Sequence, residues 1–349
     1  MNPVKNKKSE IFADTPKASQ ISNGMNNIII IGAGQIGSRH LQALKNVKFP
    51  LNITVIDPSQ KSLAIAKRRY EEIPKGKHNH AIKYLQKIDT GQKIDLVIVA
   101  TTSDVRAKAI KDVLKNNQVR YFILEKILFD KKSDYYVMEK TFSKLKIKAW
   151  VNLPRRVWPV YQEIKRELAG QPIFLKACMG QWDLACNAIH FLDLTAFLAE
   201  KTNFKLNVSH LDKKLLLSRR KDFLEFRGTL YAGFDDGSSC EFTSYISGNA
   251  PFLIEIFNKD ARYIIRESEG KYWASNIKNN WQWEEISFRT PLVSETTTET
   301  VENILANGNC SLTPYKESVK IHVSLLEPLK HFLNENLESE KEYEHYPFT

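Results

Sequence analysis

Two periods of apolar residues organise the first half of the chain. Ile28–Ile31, Leu51–Ile56, the DLVIVA run Asp95–Ala100, Tyr121–Leu124 and Ile147–Asn152 are short, nearly continuous apolar runs rich in β-branched residues. Continuous runs of this length predict strands buried on both faces, hence a parallel sheet. A shorter piece at Ala81–Leu85 predicts one more strand, and helical periodicity follows the first strand and recurs over Ser59–Glu72, Val105–Asn116 and Ser133–Leu145. Strands alternating with helices predict a doubly wound domain over residues 26–152.

Beyond residue 152 the pattern changes. A helix is predicted over Trp158–Leu168, then the strand IFLKACMG, then a helix over Asn187–Glu200. The runs EFRGTLYAGF, SSCEFTSYI and PFLIEIF predict strands, and Asp236-Gly237 between the first two is a hairpin signal whose glycine accepts positive φ. A closing amphipathic helix is predicted from Tyr315 to about Asn336, with Thr313 as its cap and Pro314 at its first position. The fold class expected is therefore α/β: an N-terminal Rossmann parallel-sheet domain, then a C-terminal α+β domain with a mostly antiparallel open sheet over residues 153–349. Residues 1–25 are polar and aperiodic, and predict a disordered arm.

A length of 349 residues suits two domains. No apolar stretch approaches the roughly 20 residues that span a bilayer, and the lysine-bearing N-terminus has no apolar signal core, so a cytoplasmic, membrane-free protein is expected. Four widely spaced cysteines make neither a C-x-x-C pair nor a disulfide framework. The net charge of +11 is scattered and accompanies no nucleic-acid motif, so no nucleic-acid partner is expected and the charge favours small anionic ligands.

Candidate chemistry begins at Gly32, where the first strand breaks into GAGQIGSRH. Gly32, Gly34 and Gly37 form a G-x-G-x-x-G turn between strand and helix, which admits a pyrophosphate against backbone N–H groups at the helix N-terminus. Asp57 ends the second strand at about the expected 20 residues beyond, placed to accept hydrogen bonds from an adenosine ribose and to repel a 2′-phosphate. NAD is the expected cofactor, with NADP the alternative; Lys61 and Ser59 soften the preference. Three further places lie near strand ends: Glu125-Lys126; the segment WDLACNAIHFLDL, where Asp183, Asn187, His190 and Asp193 recur at helical spacing; and Arg155-Arg156 beside Trp158. Each has a plain alternative, namely a surface lysine, a satisfied interior histidine among solvent-facing acids, and arginines tied to nearby acids.

GAGQIGSRH with Asp57, DLVIVATTSDVRAKAI, ILEK at 123–126, VNLPRRVWP and the N-x-x-H-x-x-D helix together resemble the glucose-fructose oxidoreductase, inositol dehydrogenase and MocA (Gfo/Idh/MocA) family, over nearly the whole chain from about residue 27. The resemblance implies hydride transfer between nicotinamide and a secondary alcohol of a sugar or sugar derivative, with Lys126 and His190 catalytic. It implies cofactor contacts at Gly32, Gly34, Gln35, Ile36, Gly37, Asp57, Thr101, Thr102 and Glu125, and no metal. Substrate contacts are expected from Arg155, Arg156, Trp158, Asp183, Cys186, Asn187 and Asp193, the arginines holding an acidic or nucleotide-linked sugar of the kind used in surface-polysaccharide biosynthesis. The C-terminal sheet is the expected face of a homo-oligomer. The chain departs from the family at Ile127, where proline is usual, at Cys186, where aspartate is usual, at Thr102, the proline of a Thr-Pro pair, and at about Arg106, where a histidine is common. A redox-neutral epimerase or lyase that retains NAD, or a non-catalytic NAD(P)-binding sensor or accessory subunit, are the alternatives these departures leave open.

Overall fold

The computed structural model describes residues 25–74, 76–337 and 342–349. The predicted arm, Met25 apart, lies outside the described residues. The N-terminal half runs β1 (Asn26–Ile31), α1 (Gln35–Leu44), β2 (Leu51–Ile56), α2 (Gln60–Glu71), β3 (Ala81–Leu85), β4 (Lys93–Val99), α3 (Ser103–Asn116), β5 (Gln118–Leu124), α4 (Lys132–Lys144) and β6 (Lys148–Val151). Its strands lie in the order β6-β5-β4-β1-β2-β3 and all pair in parallel, which gives the doubly wound sheet expected from the continuous apolar runs. Both faces are covered: Ile28, Ile30, Leu96 and Ile98 bury into one apolar cluster, and Ile29, Val97 and Val99 into the other.

The second half continues with α5 (Pro159–Leu168), β7 (Phe174–Gly180), α6 (Leu184–Ala199), β8 (Phe204–Leu211), β9 (Leu216–Leu217), β10 (Leu224–Glu225), β11 (Gly228–Phe234), β12 (Ser239–Tyr245), β13 (Leu253–Phe257), β14 (Ala261–Arg266), β15 (Lys271–Asn276), β16 (Glu284–Ser287), α7 (Val293–Asn307), β17 (Thr313–Pro314) and α8 (Tyr315–Glu335). An eight-stranded sheet in the order β16-β15-β14-β13-β7-β12-β11-β8 is antiparallel except where β7 meets β12. Gly237 sits at φ +89 in the β11–β12 turn, as the Asp-Gly signal requires. The β9–β10 pair forms a small sheet of its own.

The chain then returns to the first domain. Thr298 of α7 donates to the Ala43 carbonyl of α1 at 2.8 Å, and Thr313–Pro314 pairs antiparallel with the edge strand β6. Thr313 is thus a ladder residue and not the cap of α8; the helix starts at Tyr315, because the β6 edge claims the backbone before it. One continuous apolar cluster runs from Val97 and Phe122 through Leu325 and Leu329 of α8 to Ile189 and Ile254, so the two halves share a core. All four cysteines are free thiols. Among the described residues, no helix is long and apolar enough to cross a membrane.

Candidate active site

The β1–α1 turn is shaped by its glycines. Gly32 has φ +96, and a Cβ there would lie 2.9 Å from the Ala100 carbonyl; at Gly37 a Cβ would lie 1.8 Å from the Gly32 oxygen. Gly34 has open space on its outer side, with nothing within 4 Å of an added Cβ. Two glycines therefore pack helix on strand and the third leaves the approach to the helix N-terminus clear, where no acidic side chain occupies the first turn of α1. That is the cradle a pyrophosphate needs. At the end of β2, Asp57 accepts from Ala33 N at 2.7 Å and from Ser59 N at 2.8 Å, which fixes the carboxylate beside the glycine turn. A carboxylate has about four acceptor sites, so the ribose hydroxyls still find lone pairs there.

The loops after β4 and β5 are locked together by Arg106. Its guanidinium is buried and donates to the carbonyls of Thr101, Ile127 and Leu128. Burial pulls its pKa down to about 10, with Glu125 opposing and the Arg220 charge adding to the fall. Where the family resemblance places a histidine, this residue is a loop tie. The Lys126–Ile127 peptide is cis with isoleucine in the proline position. Thr102 caps α3 by backbone position alone, whereas Thr101 Oγ1 is buried with no partner.

Glu125 lies inside a buried chain. Its Oε1 accepts from His40 Nε2 at 2.9 Å and from Asn152 at 2.6 Å, while His40 Nδ1 meets Thr297 Oγ1 at 3.0 Å. Burial alone would raise this carboxyl; the His40 hydrogen bond and charge outweigh it and lower the pKa, so the group is ionised. Since a carboxylate only accepts, His40 donates to Glu125 from Nε2. The chain ties β5, α1 and α7 behind the lysine that follows.

Lys126 leaves the end of β5 and donates to the Cys186 carbonyl at 2.8 Å, with Asn187 Oδ1 at 3.5 Å. This brings it to the first turns of α6, where His190 is half-buried and its Nδ1 has no hydrogen-bond partner. Burial, then the charges of Lys126, Arg155 and His322, push His190 well below the ordinary histidine pKa, so the imidazole is neutral. A neutral ring with a free nitrogen beside an ammonium is a proton acceptor and a hydroxyl holder side by side.

Cys186, one turn before His190, meets a carboxyl that the sequence concealed. Glu225, from the two-residue strand β10, is 1% exposed; its Oε2 accepts from Ala185 N at 2.8 Å and its Oε1 has no partner. Burial raises Glu225 to about 7 and the Cys186 thiol to about 12. Asp183, Cys186 and Glu225 bring donor atoms within 4.8 Å of one another. A cation there would have to displace Arg227 from Asp183, which it meets at 3.3 Å, and deprotonate the raised thiol. The trio reads as the hydrogen-bonded wall of the site. Because the folded pKa of Glu225 exceeds the ordinary 4.5, its burial stabilises fully below that value and progressively less as pH rises through about 7. Glu225→Gln is expected to flatten the fall of melting temperature between about pH 5 and pH 8; parallel curves for variant and native protein would contradict the assignment.

The remaining candidates are bound elsewhere. Arg155 grips Glu267 through two bonds of 2.8 Å, and Tyr161 donates to the same carboxylate at 2.6 Å. Arg156 holds Asp193 at 3.0 and 2.6 Å and Glu317 at 2.9 Å, and Thr313 adds 2.7 Å to Asp193. Trp158 is buried against Tyr161, with ring centroids 6.0 Å apart. The sequence alternative, arginines paired with acids, describes both; Asp193 serves Arg156 and not His190. Lys126, Asp183, Cys186, Asn187 and His190 are brought together, while Arg155, Arg156, Trp158 and Asp193 form a brace beside them. A surface hollow lined by Asn27, Asn52, Lys83 and Lys93 sits at the amino ends of the parallel strands, opposite the end where such sheets bind ligands.

Fold and turn together define a two-domain protein whose N-terminal half is a dinucleotide-binding domain. Residues 26–152 match the model of the Gfo/Idh/MocA family, described as an oxidoreductase family with an NAD-binding Rossmann fold. Similar solved structures include an oxidoreductase from Agrobacterium radiobacter in complex with NAD+, L-tartaric acid and magnesium, at 17% identity and TM-score 0.67, covering 86% of this chain and 94% of that one. The UDP-N-acetylglucosamine 3-dehydrogenase of Acidithiobacillus ferrooxidans is similar at 14% identity and TM-score 0.66, covering 87% and 96%. A levoglucosan dehydrogenase in complex with NADH is similar at 12% identity and TM-score 0.64, covering 93% and 100%. These likenesses extend the shared fold through both domains. No curated protein matches the sequence.

Proposed function

We propose that this chain transfers a hydride between NAD and a secondary alcohol of a sugar or sugar derivative. The observation that carries the reading is that Lys126 bonds the Cys186 carbonyl one helical turn before His190, a neutral imidazole whose Nδ1 is buried and unpartnered. The Gly32–Gly37 turn and Asp57 would hold NAD, which would supply the hydride acceptor. The residues do the rest: the Lys126 ammonium holds the substrate oxygen and stabilises charge gathering on it, and His190 takes the hydroxyl proton. The carbinol carbon thus loses a hydride and its oxygen a proton, leaving a ketone. Asn187 keeps Lys126 in place, and Glu225 with Cys186 closes the wall. Sugar dehydrogenases among the similar structures support the substrate class. Reduction of NAD by a panel of sugars and sugar nucleotides tests the reading; no NADH from any of them, with NAD bound, would favour a non-catalytic role.

The nucleotide preference follows from Asp57. With its carboxylate fixed at the glycine turn, NAD is expected to bind at least about tenfold tighter than NADP by calorimetry; equal or better binding of NADP would remove the preference. The uncovered face of the eight-stranded sheet, carrying Phe174, Lys176, Tyr231, Glu241 and Phe257, is the face assigned to self-association, and light scattering reads the resulting mass.

A further inference from the structure

We propose that the β9–β10 hairpin is a diphosphate clamp, and that the substrate is a sugar linked to a nucleoside diphosphate. The proposal rests on the dehydrogenase reading and names its substrate class. Residues 212–223, DKKLLLSRRKDF, carry five cations, Lys213, Lys214, Arg219, Arg220 and Lys221, against two acids, Asp212 and Asp222. All five cations are exposed, and among the described residues none has an ion-pair partner. Other surface lysines do pair, such as Lys108 with Asp112, Lys111 with Asp134, Lys132 with Glu327 and Lys271 with Glu285. Five unpaired cations within nine residues thus stand on one short hairpin.

The hairpin is fastened to the site. Glu225 at its base accepts from Ala185 N at the start of α6, the helix that presents Cys186, Asn187 and His190. Arg227 just beyond donates to the Trp182 carbonyl at 2.6 Å and pairs with Asp183. On the other side Leu224 N bonds the Pro347 carbonyl at 2.8 Å, and the next residue, Phe348, accepts from Ser103 at the start of α3 at 2.8 Å. The tip is near enough that the Arg220 charge acts on buried Arg106, the tie behind the Lys126–Ile127 peptide. A substrate whose carbinol lies between Lys126 and His190 thus has the cations of the hairpin beside its far end. Guanidinium forks suit phosphate oxygens, and Leu217, 85% exposed, offers apolar contact to a base. Arg155 and Arg156 are held by their own acids, so this hairpin supplies the free cations for an anionic substrate. The cofactor pyrophosphate has a separate cradle at Gly34.

Calorimetry on the full chain saturated with NADH tests this with UDP, inorganic pyrophosphate and uridine as probes. UDP is expected to bind at least about tenfold tighter than uridine, pyrophosphate to compete with it, and added salt to weaken it. The variant R219Q/R220Q/K221Q, altered only at exposed positions, is expected to lose at least about tenfold in UDP affinity while NADH affinity holds. Equal binding of UDP and uridine, undiminished UDP binding by the variant, or no UDP binding at all would overturn the clamp. Reduction of NAD by neutral sugars in a protein that ignores UDP would overturn the clamp alone; UDP binding without turnover of any sugar nucleotide would overturn only the dehydrogenase reading.

Discussion

Lys126→Ala is expected to depress kcat by roughly two orders of magnitude or more, with NAD affinity nearly unchanged. Lys126 stands at the end of β5 with its ammonium directed at the first turns of α6, away from the glycine turn that holds the nucleotide. In the proposed reaction its charge acts where the substrate oxygen gains negative character, so kcat and kcat/KM should fall together. His190→Ala should fall comparably through loss of the proton acceptor. Because His190 is pushed well below its ordinary value, its titration should not limit the native rate near neutral pH. Unchanged turnover in either variant, measured on properly folded protein with intact NAD binding, would remove that residue from the chemistry.

Arg156→Met is expected to cost about 3–5 kcal/mol of stability, the cost of leaving a buried charge without its partner. Asp193 is 1% exposed and receives two of its bonds from Arg156. Burial raises the Asp193 pKa, so without the guanidinium the carboxyl takes up a proton or is left uncompensated. The same arginine reaches Glu317 on α8, so its loss loosens α6, α8 and the 154–157 turn together. Arg156→Met combined with Asp193→Asn should recover part of the loss. A raised KM with unaltered melting temperature would instead return Arg156 to the substrate role expected from the sequence.

What the sequence made legible was local chemistry. The continuous runs gave away the parallel strands because both faces of that sheet are buried, and Gly32, Gly34 and Gly37 announced the turn because backbone contacts forbid a Cβ at two of them. Asp236-Gly237 showed its hairpin for a similar reason. The long-range features were hidden. Arg155 finds its acid at Glu267, 112 residues away, and Arg156 finds Asp193 and Glu317, 37 and 161 residues away, so spacing could not distinguish a substrate clamp from a brace. Glu225 reaches the site from a strand of two residues, too short for any periodicity, and only an acid within the apolar FLEF run marked it. His40 was visible in GAGQIGSRH, but its partners Glu125 and Thr297 come from distant segments. Thr313-Pro314 carries the composition of a helix start, and tertiary pairing with β6 overrides it.

Single-turnover reduction of NAD is the direct test of hydride transfer. Enzyme and NAD are mixed rapidly with a series of sugar nucleotides, and formation of reduced nicotinamide is followed optically. At least one member of the series is expected to give NADH in step with the corresponding keto-sugar, abolished in Lys126→Ala protein that still binds NAD. Tight binding of a sugar nucleotide with neither NADH nor any altered sugar produced would contradict the account.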